Sequence, residues 1–261
     1  MTTATTSSTY ARPLFRHLPL VGLALAAIAV VLLAAGPIGW RAGWLHYRFA
    51  LLSLMPWAGY FGAAALAVSA LALVFGRSRI GWPGVVVAVI GFAVGAVVAY
   101  VPWHYDAMRH TVPPINDITT DTENPPTFVV IVPLRAAEQA NPVVYPGSKF
   151  ADQQRQAYPD IAPLILTLPP GAAFDSALGT AKKMGWTIVS ADEAAGRIEA
   201  SERSRWFGFT DDIIIRVAAA GSGSRIDMRS SARLGRSDFG VNAARIHAYL
   251  TALRANTAGQ S

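Results

Sequence analysis

The sequence predicts a membrane anchor of three transmembrane helices followed by an α+β domain, a two-layer sandwich of an antiparallel sheet with two helices on one face. Three observations carry that prediction. Three long apolar runs without charge lie in the first 103 residues. All 16 acidic residues lie at or beyond Asp106. After Ile161, short alternating segments separated by glycine turns are framed by two stretches of helical period.

Composition narrows the function classes. Of 261 residues 52% are hydrophobic and only 15% are charged, a low share for a water-soluble globular chain. The net charge of +6 comes from Arg12, Arg16, Arg41, Arg48, Arg77 and Arg79, because acids and bases balance beyond residue 101. Arginines flanking apolar runs face lipid headgroups, so the basic balance does not point to nucleic acid. The absence of cysteine excludes disulfides, thiolate metal sites and thiol nucleophiles.

The first apolar run fills the 23 residues between His17 and Arg41, the second runs from Phe49 to Gly76, and the third from Ile80 to Trp103. Each reaches the roughly 20 residues that a helix needs to cross the hydrocarbon core, which places the membrane region at 18–103. Trp40, Trp44, Tyr47, Trp82, Tyr100 and Trp103 fall near the ends, where amphipathic rings favour the headgroup layer. The first run is too long for the core of a cleaved signal peptide, and two more follow it. No ionisable side chain lies inside a span, which argues against transport by these helices alone. Gly91 and Gly95 form a small-residue motif that serves close packing within the three helices, with oligomerisation through the membrane as the alternative.

Arginine counting orients the chain. A cytoplasmic tail, 1–17, places Arg12, Arg16, Arg77 and Arg79 inside and leaves Arg41, Arg48 and Arg109 outside. In a bacterial cell this puts an inner-membrane anchor below a periplasmic domain.

Residues 104–126 read as a polar, proline-punctuated linker, and 127–255 as the soluble domain, with 256–261 as a disordered tail. "TFVVIV" at 127–132 reads as a strand. The stretch 133–160 has little periodicity and is broken by Pro133, Pro142, Pro146 and Pro159, so it reads as a long loop that wraps the domain or shapes a binding edge. "PLILTL" is a strand, and Phe174, Ala177, Leu178, Ala181 and Met184 then recur at helical spacing up to Gly185. "WTIVSAD" and "RIEASER" form a hairpin about Ala195 and Gly196. "DDIIIRVAAA" and "SRIDMRSSARL" form another about Gly221 and Gly223. Phe239, Ala243, Ile246, Leu250 and Leu253 make the stripe of a last helix, with Ser237 or Asp238 placed to cap it.

Alternation puts Arg225, Asp227, Arg229, Ser231 and Arg233 on one face of the last strand. Asp212 and Arg216 share a face of the strand before it, as do Arg197, Glu199 and Ser201 one strand earlier. Neighbouring strands would merge these into a ladder of mixed sign. The plain reading is a solvated, salt-bridged sheet face. The functional reading is an anion site, because Arg229, Arg233, Arg236 and Arg245 outnumber the acids close to them in sequence, Asp227 and Asp238, beside a helix start. Asp211 and Asp212 offer paired carboxylates for acid–base chemistry, the rival enzymatic reading. Other motifs carry less. "SDFG" lacks every companion kinase motif. His104, Asp106 and His110 have a spacing that suits a metal, but interfacial histidines are the commoner case, so neither metal nor cofactor is expected.

The ordered series "DITTDTENPPTF", "YPG", "QAYPDIAPL", "MGW", "GRIEA", "FGFTDDIIIRV" and "RSSARLGRSDFGVNAARI" resembles the domain-of-unknown-function family 1499 over about residues 113–253. The resemblance implies a bacterial envelope or plastid setting and brings no established activity or cofactor. It also implies that Asp211, Asp212, Arg216, Arg229, Arg233, Asp238, Asn242 and Arg245 belong to a shared pattern. The resulting expectation is a periplasmic domain that binds a partner protein or an anionic envelope component; the alternative is a membrane-tethered enzyme acting on a lipid or cell-wall substrate.

Overall fold

The protein is described by a computed structural model covering residues 14–138 and 140–258. The expected tail at 1–17 falls mostly outside that range. The described chain divides into two compact units at Ala107.

The first unit holds three helices long and apolar enough to cross a membrane. Helix α1 spans Leu14–Arg41. The second rod starts as α2, Tyr47–Phe49, widens into a π-turn at Ala50–Leu54 and continues as α3, Met55–Phe75. Pro56 has no N–H to give to that turn, which accounts for the local widening. Helix α4, Arg77–Met108, is broken at Gly81, whose φ of 64° and ψ of 176° are not helical. Small residues set the packing. A Cβ on Gly91 would lie 2.6 Å from Ser69 Oγ, and one on Gly95 would lie 2.7 Å from the Gly62 carbonyl oxygen. The Gly91/Gly95 face is therefore occupied within the chain, as close packing predicts. Leu20, Val31, Trp57, Val74 and Val97 point outward, as lipid-facing residues do.

The second unit is the α+β domain. Its strands are β1 (Asp117–Thr119), β2 (Leu164–Leu166), β3 (Thr187–Asp192), β4 (Arg197–Arg203), β5 (Thr210–Ala220) and β6 (Gly223–Ala232). They form one antiparallel sheet in the order β1-β6-β5-β4-β3, with β2 also pairing β6. Helices α7, Pro170–Lys183, and α8, Val241–Thr257, cover one face. The core on that side joins Phe174, Ala177 and Ala181 of α7 to Ile246, Tyr249 and Leu253 of α8, over Ile198, Ile213, Ile215, Ile226 and Met228. Tyr249 donates to the Ala177 carbonyl at 3.0 Å and stacks on Trp186, tying the two helices together. The predicted hairpins and both helices are present, because each is encoded by local periodicity and a glycine turn.

Three expectations are corrected. Residues 127–132 are not a strand; they are a loop that leads into a short helix, α5, Val132–Ala137. The stretch 133–160 contains that helix and also α6, Ser148–Ala157. β1 lies inside the stretch read as a linker and joins the sheet beside β6. Two smaller shifts follow. Phe239 sits outside α8 at φ 55°, and α8 continues to Thr257, into the expected tail, of which 259–261 lie outside the described residues.

Candidate functional site

The face of the sheet opposite α7 and α8 carries the charge. As alternation predicts, Arg197, Glu199, Ser201, Asp212, Arg216, Arg225, Asp227, Arg229, Ser231 and Arg233 all project there. That face is not solvated. Residues 121–138 and 140–145, with α5, lie across it as a strap that α6 then ties to the edge of β1, and Glu199, Asp212, Asp227, Arg229 and Arg233 are buried beneath.

Three anchors fix the strap. Glu199 accepts the backbone N–H groups of Val129 and Val130 on Oε1, at 2.9 and 3.1 Å, and that of Ile131 on Oε2 at 2.9 Å. These successive N–H groups converge on one carboxylate as they would on a bound anion, which is why 127–132 cannot pair as a strand. Arg135 reaches down from α5. Its Nε donates to Asp212 at 2.6 Å and its Nη2 to the Ser231 carbonyl at 2.6 Å. Gln154 of α6 donates to the Thr119 carbonyl at 2.6 Å and accepts the Thr119 N–H at 3.0 Å, standing in for a further strand beside β1.

Around these anchors the buried guanidiniums of Arg229 and Arg233 are matched. Arg229 forms a two-pronged pair with Asp117, at 2.8 and 2.7 Å, between the rings of Phe128 and Tyr145. Arg233 grips Asp212 through Nε and Nη2 and reaches Glu138 at 2.6 Å. Burial works against its charge, but Asp212 and Glu138 together hold its pKa above the ordinary value. Arg216 and Arg225 share Asp227 and Asp121. Burial, with the charge of Asp117 beside it, pushes the Tyr145 phenol up to about 12.

A second network lies on the helix side. Arg245 of α8 binds Asp211 at 2.7 Å and Ser230 Oγ at 2.9 Å, and also holds Glu202 and Asn242. Asn242 passes the connection to the Asn116 carbonyl at 3.0 Å. Burial raises the pKa of Asp211 against the lowering pull of Arg245. Asp238 accepts the Gly240 and Asn242 N–H groups at 3.0 and 2.7 Å and so caps α8, the role expected of it. Its pKa is raised by burial, with those two N–H groups opposing.

The sequence-predicted residues thus fall into separate places. Asp212, Arg216, Arg229 and Arg233 meet under the strap. Asp211, Asn242 and Arg245 meet under α8. Asp238 caps α8, and Arg236 stands exposed in the loop before it. The expected arginine surplus is overturned under both covers, because Asp117, Glu138 and Glu202 supply the missing charge from distant segments. Arg135 and Asp117 are central residues that the expected site did not include, and Glu199, expected on the charged face, has the further role of holding the strap. The motif "DITTDTENPPTF", which starts at Asp117, and "GRIEA", which contains Glu199, signalled two of them; nothing in the sequence singled out Arg135. Among the described residues no three His, Asp or Glu side chains gather as a metal site.

Fold and site define a multi-pass membrane protein whose soluble α+β domain is built around buried salt-bridge networks. Residues 117–253, more than half of the chain, match the family described as "Protein of unknown function (DUF1499)", and the chain belongs to that family. No curated protein matches it.

Proposed function

We propose that the protein is a non-catalytic inner-membrane anchor that holds its domain in the periplasm, and that the outer surface of the strap docks a partner protein of the envelope. One observation carries this reading. Val129, Val130, Val132, Leu134 and Val144 are exposed along the strap, while Ile131 and Arg135 pin the same segment from below. A rigid apolar ridge on a domain that is otherwise electrically balanced is what a protein interface requires. Of the guanidiniums expected to form an anion site, Arg229, Arg233 and Arg245 already hold carboxylates, and Asp211 and Asp212 are enclosed in ion pairs. The geometry therefore favours protein docking over an anion site and over acid–base chemistry. The periplasmic placement rests on the arginine count, with Arg77 and Arg79 joining two spans on the cytoplasmic side.

A photo-crosslinking residue at Val130 of the full chain in living cells tests the docking. The expected result is one discrete adduct that disappears with Val129→Asp and does not form from Ser222, at the turn between β5 and β6. Equal adducts from both positions, or none from Val130, would overturn it. Because the chain has no cysteine, Ser222→Cys also reports orientation: an impermeant maleimide that reaches it only after the inner membrane is opened would refute a periplasmic domain.

A further inference from the structure

The loop between β4 and β5 is a self-braced turn with an aromatic and basic surface. The Ser204 N–H donates to the Phe209 carbonyl at 2.8 Å, and the Gly208 N–H to the Ser204 carbonyl at 2.9 Å. Arg203 Nε donates to the Gly208 carbonyl at 3.0 Å, and Ser204 Oγ accepts the Phe209 N–H at 3.0 Å. Gly208 takes a φ of 74°, which a side chain would resist. Phe207 is buried and stacked on Phe209, which roots the turn in the domain, whereas Trp206 is 37% exposed. Arg203 and Arg205 flank it and are exposed.

Register places more of the same character at this end of the sheet. Thr210 accepts a bond from the Arg233 N–H at 3.1 Å, so the loop that carries exposed Arg236 lies beside the turn. Val241, at the start of α8, is also exposed. Of the acids here, Glu138, Glu202 and Asp211 are held by Arg233 and Arg245, and the Asp238 carboxylate is turned inward onto the Gly240 and Asn242 N–H groups. The incoming chain is tied to the same end, where Asn116 donates to the Gly235 carbonyl at 2.6 Å. From Met108, where α4 stops, to Asp117, where β1 starts, extended chain reaches no further than about 30 Å.

We propose that this end of the domain, with Trp206 and the guanidinium groups of Arg203, Arg205 and Arg236, seats on the anionic headgroups of the bilayer in which the chain is anchored. Indole prefers the interface between water and hydrocarbon, and arginine is drawn to a negative lipid surface within a Debye length. The complementary charge and the short tether single out lipid. This surface is separate from the strap, so the proposal stands or falls independently of partner docking.

The test uses the full chain in nanodiscs. Single cysteines at Ser204, in the turn, and at Ser222, at the opposite end of the sheet, carry an environment-sensitive fluorophore, and a headgroup-level spin-labelled lipid acts as quencher. In discs containing phosphatidylglycerol, position 204 is expected to be quenched at least twofold more than position 222. In phosphatidylcholine discs, or after Arg203, Arg205 and Arg236 are changed to Gln, the difference should vanish. Equal quenching at the two positions in anionic discs would overturn the proposal. So would quenching at 204 that is unchanged in neutral discs, since proximity would then owe nothing to headgroup charge. The comparison between lipids uses one and the same folded protein, so misfolding cannot imitate either result.

Discussion

Arg229 shows what a buried charge does in this domain. Its guanidinium pairs with Asp117, donates to the Pro126 and Val143 carbonyls at 3.2 and 2.8 Å, and lies between two aromatic rings. Such a pair stabilises less than its contacts imply, because both ions gave up water to form it. What it does impose is a single arrangement, since any other packing of the strap leaves a naked charge. The caps follow the same logic with a different pH signature. Asp238 is enclosed enough that its folded pKa is raised above 3.8, so the folded state holds its proton more tightly than the unfolded chain does. Its contribution to stability is complete below the unfolded value and is lost as pH rises through the folded value, the reverse of a salt-bridged surface carboxylate. Urea titration at about pH 4 and about pH 7 should show the parent chain losing more stability on the way to neutral pH than Asp238→Asn does. An equal or smaller loss would refute the burial argument.

At the scale of elements, the strap depends on Glu199. Removing that carboxylate leaves the Val129, Val130 and Ile131 N–H groups without their acceptor, each costing about 1–3 kcal/mol where it stays buried. Glu199→Ala is therefore expected to speed amide exchange through residues 127–137, while β5 and β6 keep their protection. Uniform loss of protection would mean that the strap and the sheet unfold as one. The contrast also explains what the sequence reveals. Asp212 and Arg216 fall on one face and Ile213, Ile215 and Val217 on the other, and β5 turns into β6 through adjacent residues, so strand, face and partner are largely written locally. The strap has no such record: Arg135 meets Asp212 77 positions away and Ser231 96 positions away. Counting acids near the arginines in sequence therefore produced a surplus that folding removes. The apolar run "FVVIV" reads as a strand from its composition alone, and a distant carboxylate makes it a loop.

For the whole molecule, the three long apolar helices were legible to within about five residues at their ends, because roughly 20 apolar positions in a row have few other uses. The charged face was legible as a face but not as an interior, since burial of one layer is a property of what covers it. The protein is thus an anchor of small-residue helix packing and a domain whose mixed charge is an internal brace under a strap. That brace is the central claim, and the melting transition of the soluble domain in full-length Arg229→Ala, purified in detergent, tests it most directly. Leaving Asp117 buried and unpaired should cost about 3–5 kcal/mol and lower the transition clearly. A variant that melts with the parent protein would contradict the account and return Arg229 to the role of a binding residue.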